Sequence, residues 1–320
     1  MNPKVSVIIP VYGVEKYIER CADSLFAQTL SDIEFIFVDD CSPDRSMELL
    51  NQKIEKNRPR FAGMNWQVRT VRMPTNSGLA AVRRHGIQLA TGNFVIHCDS
   101  DDWVEPDMYK VMYEKAVEED ADVVVCDCCR TNGKVNEYIS VGKAAKPSKI
   151  INQMLHRRVW WSLCNKLFRK ELYDDITYPT GAMGEDMCIC MQLMTKCNNI
   201  SFVHCCYYYY INPKSIIQNN SIDNIIYKYN EICGNVAIVQ DYYKQKSLSR
   251  IYAKGLNYLE YNATQALLPG LYDEKVMALW KTTFPGCFRN VLFDSSAQLK
   301  ERVRCLLIIL GLYTRKKRNS

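Results

Sequence analysis

The sequence predicts an α/β fold: a mostly parallel sheet flanked by helices, followed by a helical C-terminal extension. Three observations carry this. Apolar β-prone runs alternate with helix-patterned segments through residues 1–130. Two of those runs empty into clusters of carboxylates, as strands do where an open α/β sheet presents its ligand edge. Near the C-terminus, apolar residues recur at helical spacing.

Val5 to Pro10 (VSVIIP) is a β-branched run closed by Pro10 and the turn residues Tyr12 and Gly13, a first strand. Glu15 to Gln28 sets Ile18, Cys21, Ala22 and Leu25 on one helical face, and Ile33 to Val38 returns as a strand ending at Asp39 and Asp40. Ser42 followed by Pro43 has the form of a capped helix start, with Met47, Leu50 and Ile54 at helical spacing behind it. Trp66 to Met73 reads as a third strand, Pro74 to Gly78 as a loop, and Leu79 to Ala90 as a helix closed by Gly92. In Asn93 to Trp103 (NFVIHCDSDDW) a buried strand runs into Asp99, Asp101 and Asp102. Pro106 opens a helix with Tyr109, Met112, Tyr113 and Ala116 on one face, and Asp122 to Cys128 is a fifth strand. Ser295 and Gln298 match a capping box, and Leu299, Val303, Leu306 and Leu310 then predict a helix from Ser296 to Leu312.

At 320 residues the chain can bury a full core. Fifteen cysteines with no signal-peptide pattern point to a reducing, cytoplasmic setting in which thiols stay free. Cys126 and Cys129 have zinc-type spacing, but no second such pair follows. Seven of the 41 basic residues and one of the 35 acidic residues fall in 300–320, so the excess of +6 lies wholly in the tail. A balanced body without a basic stripe disfavours nucleic acid. The apolar run Cys305 to Tyr313 is far short of the roughly 20 residues a spanning helix needs. Its helix therefore packs on its own protein or lies on the inner face of a membrane, with Arg315, Lys316, Lys317 and Arg318 as a basic tail on anionic lipid.

Three carboxylates within four positions repel one another unless a cation lies between them, and oxygen ligands suit Mg²⁺ or Mn²⁺. The plain alternative is a turn whose Asp side chains cap the next helix. No G-x-G-x-x-G follows the first strand and no P-loop occurs, so a nucleoside diphosphate here needs another counter-charge. A divalent ion on the acidic tip would supply it.

The segments PKVSVIIPVYGVEKYIERCADSLFAQTL, FIFVDDCSPD and NSGLAAVRRHGIQLATGNFVIHCDSDDW resemble the nucleotide-binding half of family 2 glycosyltransferases with the GT-A (Rossmann-like) fold. The resemblance is continuous over residues 3–128, weaker in Asn165 to Leu172 and Gly184 to Met187, and absent beyond about residue 230. It implies a GT-A domain over 1–225, with a nucleotide-binding half (1–128) and an acceptor half (129–225), and a helical extension with a basic tail over 226–320. It further implies an inverting, metal-dependent hexosyltransferase. A nucleotide-sugar donor, with UDP first among the nucleotides, would give its sugar to a saccharide or lipid-linked acceptor in polysaccharide or glycolipid assembly. Oligomeric state is left open.

By the same resemblance, Asp99, Ser100 and Asp101 form the D-x-D that meets the donor, Asp101 and Asp102 hold Mn²⁺ or Mg²⁺, and Asp39 and Asp40 read the base, Asp40 foremost. Pro10, Tyr12 and Glu15 lie beneath the base. Asn76, Gly78 and Arg83 contact the donor, with Arg84 standing where the family has Asn. Asp186, beside Glu185, is the catalytic base, although acids in a first helical turn are favoured by the macrodipole in any case. Lys166 is a candidate to pair with Glu or with the acceptor, and Trp160 and Trp161 for a platform under the acceptor sugar, the aromatics being core otherwise. Tyr207 to Tyr210, with Ser215 and Ile216, match a loop that closes over the donor. A nucleotidyltransferase would carry a Gly- and Arg-rich loop after the first strand, and a haloacid-type phosphatase a D-x-D on it; neither is present. The non-enzymatic alternative is a degenerate nucleotide- or membrane-binding relative, against which the intact acids argue.

Overall fold

The computed structural model describes residues 2–141, 146–212 and 219–313. Ser215, Ile216 and the basic run from Arg315 to Arg318 lie outside them. The chain sorts into two compact units, one of Met1–Pro147, Ser162–Tyr178 and Leu193–Asn212, the other of Ser148–Trp161, Pro179–Gln192 and Pro213–Ser320. The division thus differs from a single boundary at 225. Two short segments, around Trp160 and around Asp186, belong with the C-terminal helices.

The first unit holds a nine-stranded sheet. Its strands are β1 (Val5–Val11), β2 (Ile33–Asp39), β3 (Gln67–Arg72), β4 (Phe94–His97), β5 (Trp103–Val104), β6 (Val123–Thr131), β7 (Asn136–Ile139), β8 (Lys166–Arg169) and β9 (Ile200–Tyr210). The order is β3-β2-β1-β4-β8-β6-β9-β5, with β7 on β6. Strands β3, β2, β1 and β4 are parallel, β8 runs antiparallel to β4 and β6, and the two-residue β5 is antiparallel to β9. All seven residues of β1 and of β2 are buried, as strands covered on both faces require.

Helices α1 (Ile18–Phe26), α2 (Ser46–Met64), α3 (Leu79–Leu89) and α4 (Met108–Glu118) cover the sheet. The periodicity had placed their inner faces well: Ile18, Cys21, Ala22 and Leu25 are buried in α1, and Tyr109, Met112 and Ala116 in α4. The expected start at Ser42 is wrong. α2 begins at Ser46, because Ser42, Asp44 and Ser46 receive the N–H groups of Gly13, Glu15 and Val14 at 2.9, 3.0 and 2.9 Å. These side chains fasten a neighbouring loop instead of capping a helix at Ser42.

At the opposite end of the sheet a buried network ties three strands together. Glu34 accepts hydrogen bonds from the Ser6 hydroxyl (2.6 Å) and the Thr91 N–H (2.9 Å), and Gly92 donates its N–H to Ser6 Oγ (2.8 Å). Arg69 neutralises Glu34.

The second unit is helical: α5 (Pro147–Leu155), most of α6 (Glu185–Met194), α7 (Ile222–Gln245), α8 (Ala253–Thr264), α9 (Glu274–Thr282), α10 (Cys287–Phe293) and α11 (Leu299–Ile309). The capping box of α11 is Gln298 with Glu301, one turn later than the expected Ser295 with Gln298. Ser296 bonds instead to Asp294 and His156, and His156 Nε2 lies 3.1 Å from Asp294. The packed face of α11 carries Cys305 and Ile308, whereas Leu299, Val303, Leu306 and Leu310 are exposed.

A Cβ at Gly92 would stand 2.7 Å from Ser6 N and 2.9 Å from Val5 C, backbone that cannot yield cheaply, while one at Gly63 in α2 meets nothing within 4 Å. Gly92→Ala should therefore lower unfolding stability by about 1–3 kcal/mol, and Gly63→Ala should raise it by about 0.4–1 kcal/mol. Urea midpoints of the two variants moving in the same direction would contradict this reading.

Candidate active site

The carboxyl ends of β1, β2 and β4 meet at one sheet edge. β4 stops where Cys98 donates its N–H to the Ile8 carbonyl (3.0 Å), and a tight turn follows in which Asp102 N reaches Asp99 O at 3.0 Å. The turn sends its acids in different directions. Asp99 accepts from Arg83 Nη2 at 2.9 Å and keeps about a quarter of its side chain exposed (27%). Asp101 accepts from Asn212 at 3.3 Å through its carboxylate, while its carbonyl accepts Arg20 Nη2 at 2.7 Å. Ser100, the middle residue of the D-x-D, is buried.

Asp102, expected to ligate a metal, is instead turned wholly inward. Its Oδ2 accepts the Tyr207 hydroxyl (2.5 Å) and its Oδ1 the Tyr210 N–H (2.7 Å). Tyr207 Oη also accepts the Asp99 N–H at 3.1 Å. Burial, then the charges of Asp101 and Asp99, push the Asp102 carboxyl well above the ordinary range. Burial and Asp99 likewise push Asp101 up to about 6. Arg20 answers this charge from α1, its guanidinium 3.8 Å over the Trp103 ring and 4.8 Å from that of Tyr210.

Asp99 and Asp101 thus remain partly open at the tip. Among the described residues no three His, Cys, Asp or Glu side chains converge to hold a metal ion. Two carboxylates are the protein share that Mg²⁺ ordinarily takes when substrate phosphates and water complete its shell. The donor set fits an ion shared with a diphosphate, with Asp99 in the place expected of Asp102.

Arg83 also differs from its expectation. It is 1% exposed and spends a charge-assisted hydrogen bond on Asp99, so it positions the acid. Beneath it lies His97, whose ring burial and the Arg83 charge keep neutral. Arg84 is exposed, with its guanidinium 5.3 Å from the centre of the Tyr178 ring.

Asp39 and Asp40 close β2 and are both buried. Asp39 accepts from Ser42 N and Arg72 Nη1, each at 2.7 Å, and Asp40 from the N–H groups of Ser77 (2.7 Å) and Gly78 (2.9 Å). Asp40 therefore holds the Asn76-Ser77-Gly78 loop, in which Gly78 takes φ 80° and opens α3. Asn76 is exposed on this loop, Tyr12 is half exposed, Pro10 is buried in β1, and Glu15 is exposed with Oε2 3.4 Å from Arg45 N.

In the second unit, Glu185 and Asp186 form the first turn of α6, Glu185 buried and Asp186 partly exposed. Gly184 precedes them at φ 80°, a left-handed conformation that suits glycine. The loop before it is held from α7. Asn235 Nδ2 donates to Gly181 O (3.0 Å) and Met183 O (2.9 Å), and Glu231 accepts Ala182 N–H at 2.7 Å. A Cβ on Gly181 would strike the Glu231 carboxylate at 2.3 Å. Trp161 donates its indole N–H to Met154 O (2.7 Å) and lies under Arg157, while Trp160 is partly exposed.

Lys166, in the first unit, is buried in β8 with Nζ donating to Ser162 O (2.7 Å) and Asn165 Oδ1 (2.8 Å). Sequence reasoning missed Arg20, Asn212, Glu231 and Asn235, and read Tyr207 as a lid or packing residue. The alternation that separates Tyr207 and Tyr209 from Tyr208 and Tyr210 is the one local signal that could have pointed to it.

This sheet with its acidic edge is the GT-A fold of glycosyltransferases. The glycosyl transferase family 2 model matches residues 6–183, and the chain belongs to that family. It is 33% identical over 181 residues to the uncharacterized glycosyltransferase EpsJ of Bacillus subtilis, a match covering 54% of this chain and 50% of EpsJ. The chain therefore spans about half the length of that relative. The S. aureus TarS 1-349 complex with UDP-GlcNAc superposes over 98% of this chain and 93% of its own, with TM-score 0.60 and 21% identity. A mannosyltransferase from Pyrobaculum calidifontis, solved with GDP-Man and Mn²⁺, covers 88% of this chain and 79% of its own at TM-score 0.52 and 15% identity.

A carboxyl held at about 6 in the folded chain, against an ordinary 3.8, keeps its proton longer when folded. Its contribution to stability is full below about pH 4 and is lost as the pH rises past 6. With no cation added, Asp101→Asn should raise stability by about 1–3 kcal/mol at pH 7.5 and by little at pH 4. Equal effects at the two pH values in chemical denaturation would remove Asp101 from the charge cluster.

Proposed function

We propose that the protein is an inverting glycosyltransferase that moves a sugar from a nucleoside-diphosphate donor, UDP-linked first among the options, to a hydroxyl of a saccharide or lipid-linked acceptor in polysaccharide or glycolipid biosynthesis. The observation that carries this reading is the pair Asp99 and Asp101, held partly open at the strand edge against their own repulsion. Such a pair is stable with a cation between it and a polyphosphate, and that is the charge a nucleotide sugar brings. The nucleotide sugars bound by TarS and by the Pyrobaculum enzyme support the choice of donor class.

Asp99 and Asp101 would hold Mn²⁺ or Mg²⁺, whose Lewis acidity stabilises charge growing on the leaving diphosphate. Arg83 fixes the Asp99 carboxylate, and Arg20 fixes the Asp101 backbone, so the tip is ordered before the donor arrives. The loop of Asn76 to Gly78, tethered by Asp40, and the loop of Tyr12 to Glu15, fastened to the start of α2, border the nucleotide. The acceptor oxygen bonds to the anomeric carbon as that carbon's bond to the β-phosphate oxygen breaks, and the hydroxyl proton passes to Asp186. Gly184 at φ 80° and the Asn235 clamp set the helix turn that presents this carboxylate.

Calorimetry with UDP should show much tighter binding with Mn²⁺ present than with EDTA, and Asp101→Asn should abolish most of the difference. Affinity indifferent to metal would refute the cation role. Asp186→Asn retains shape and capping, so it should leave donor affinity near wild type and cut turnover by roughly 10²–10⁴-fold. Normal turnover in that variant would make Asp186 a helix cap only.

A further inference from the structure

We propose that the outer face of α10 and α11, with the cleft beside it, is a docking surface for anionic phospholipid. Helix α11 has two apolar faces. The inner one is in use: Cys305 packs with Tyr258, Tyr261 and Val291, and Ile308 and Tyr313 lie against the cluster of Ile225, Leu267 and Trp280. The outer one carries Leu299 (74% exposed), Val303, Leu306 and Leu310, and Phe293 (73% exposed) at the end of α10 adds an aromatic side chain. A contiguous apolar surface of this kind marks an interaction site in a folded protein.

Charge decides the occupant. In Cys287 to Tyr313 the basic residues are Arg289, Lys300, Arg302 and Arg304, and the acidic ones are Asp294 and Glu301. Both acids are occupied internally. Asp294 is bound by His156 and Ser296, and Glu301 accepts the Gln298 N–H in the capping box. Two of the bases are also held internally, Arg302 by the Leu292 carbonyl and Arg304 by Gln265 Oε1, so the charge left facing outward is that of the exposed Arg289 and Lys300, and the sequence beyond continues with Arg315, Lys316, Lys317 and Arg318. An apolar stripe with basic flanks on a short helix matches an interfacial geometry, in which Leu and Phe enter the acyl boundary while Lys and Arg stay at the headgroups.

Beside Phe293 lies a cleft of about 280 Å³ lined by Lys254, Asn257, Arg289, Asn290 and the buried Asp294. Its two cations and two amides suit a phosphodiester headgroup, with Phe293 at the acyl side. No helix among the described residues is long and apolar enough to cross a membrane. The contact is therefore with the surface, made by side chains already on the outside of a folded unit.

The test is sedimentation of the full chain with phosphatidylglycerol or phosphatidylcholine vesicles. The wild type should pellet with the former at low salt, stay in the supernatant with the latter, and be released by 0.5 M salt at roughly the concentrations where exposed charges are screened. Val303→Glu with Leu306→Glu, both at exposed positions, should weaken partitioning at least about tenfold. Lys254→Glu with Arg289→Glu should weaken it for phosphatidylglycerol while unchanged circular dichroism confirms folding. Wild type left in the supernatant with phosphatidylglycerol overturns the proposal. So does a lipid-free dimer that Val303→Glu with Leu306→Glu converts to monomer without altering vesicle binding, since a second copy would then own this face.

Discussion

Mutual repulsion among Asp99, Asp101 and Asp102 is the constraint on which the rest of the first unit depends. Three carboxylates within one turn would open the sheet edge if left alone, and each is answered separately. Arg83 takes Asp99, Arg20 takes the Asp101 carbonyl, and Tyr207 with the Tyr210 N–H takes Asp102. The answers come from α3, α1 and β9, so the acidic turn organises the elements that surround it. The remaining strain falls on Asp101 and Asp102, whose carboxyls are both pushed up, and of the two it is the partly open Asp101 at which a binding cation would relieve it.

Sites of this kind trade stability for readiness. Arg83 could neutralise Asp99 only by being buried itself, and its burial is tolerable because the partner carboxylate is fixed 2.9 Å away. The neighbouring His97 then cannot carry charge as well, which leaves it neutral in the core. The same economy governs the turn before α6. Gly181 leaves room for Glu231, and Asn235 gives both its amide hydrogens to carbonyls of one loop.

Most of the fold was legible in the sequence because its signals are local. Strand-length apolar runs, helical spacing in α1 and α4, and acids at strand ends each need only a few consecutive residues. What failed was of two kinds. Ser42-Pro43 looked like a helix start since capping chemistry and loop-fastening chemistry use the same side chains, and only the position of Gly13 to Glu15 distinguishes them. Asp102 looked like a ligand since its inward turn is imposed by Tyr207, 105 residues away. For α11 the periodicity found an apolar stripe, and it was the outer one; the inner face is made by Cys305 and Ile308, whose neighbours arrive from α7, α8 and α9. Asp186 was readable as the first turn of a helix, while its support from α7 was not.

Tyr207 joins two parts of the chain in a single hydroxyl, which receives the Asp99 N–H and donates to Asp102. That makes the acidic turn and the end of β9 one structural module. Exchanging residues 99–104 between relatives to alter donor preference would bring in carboxylates whose inner partner belongs to the other parent. Any recombination that respects this protein's architecture has to carry 99–104 and 207–212 together, although about a hundred residues separate them in the gene.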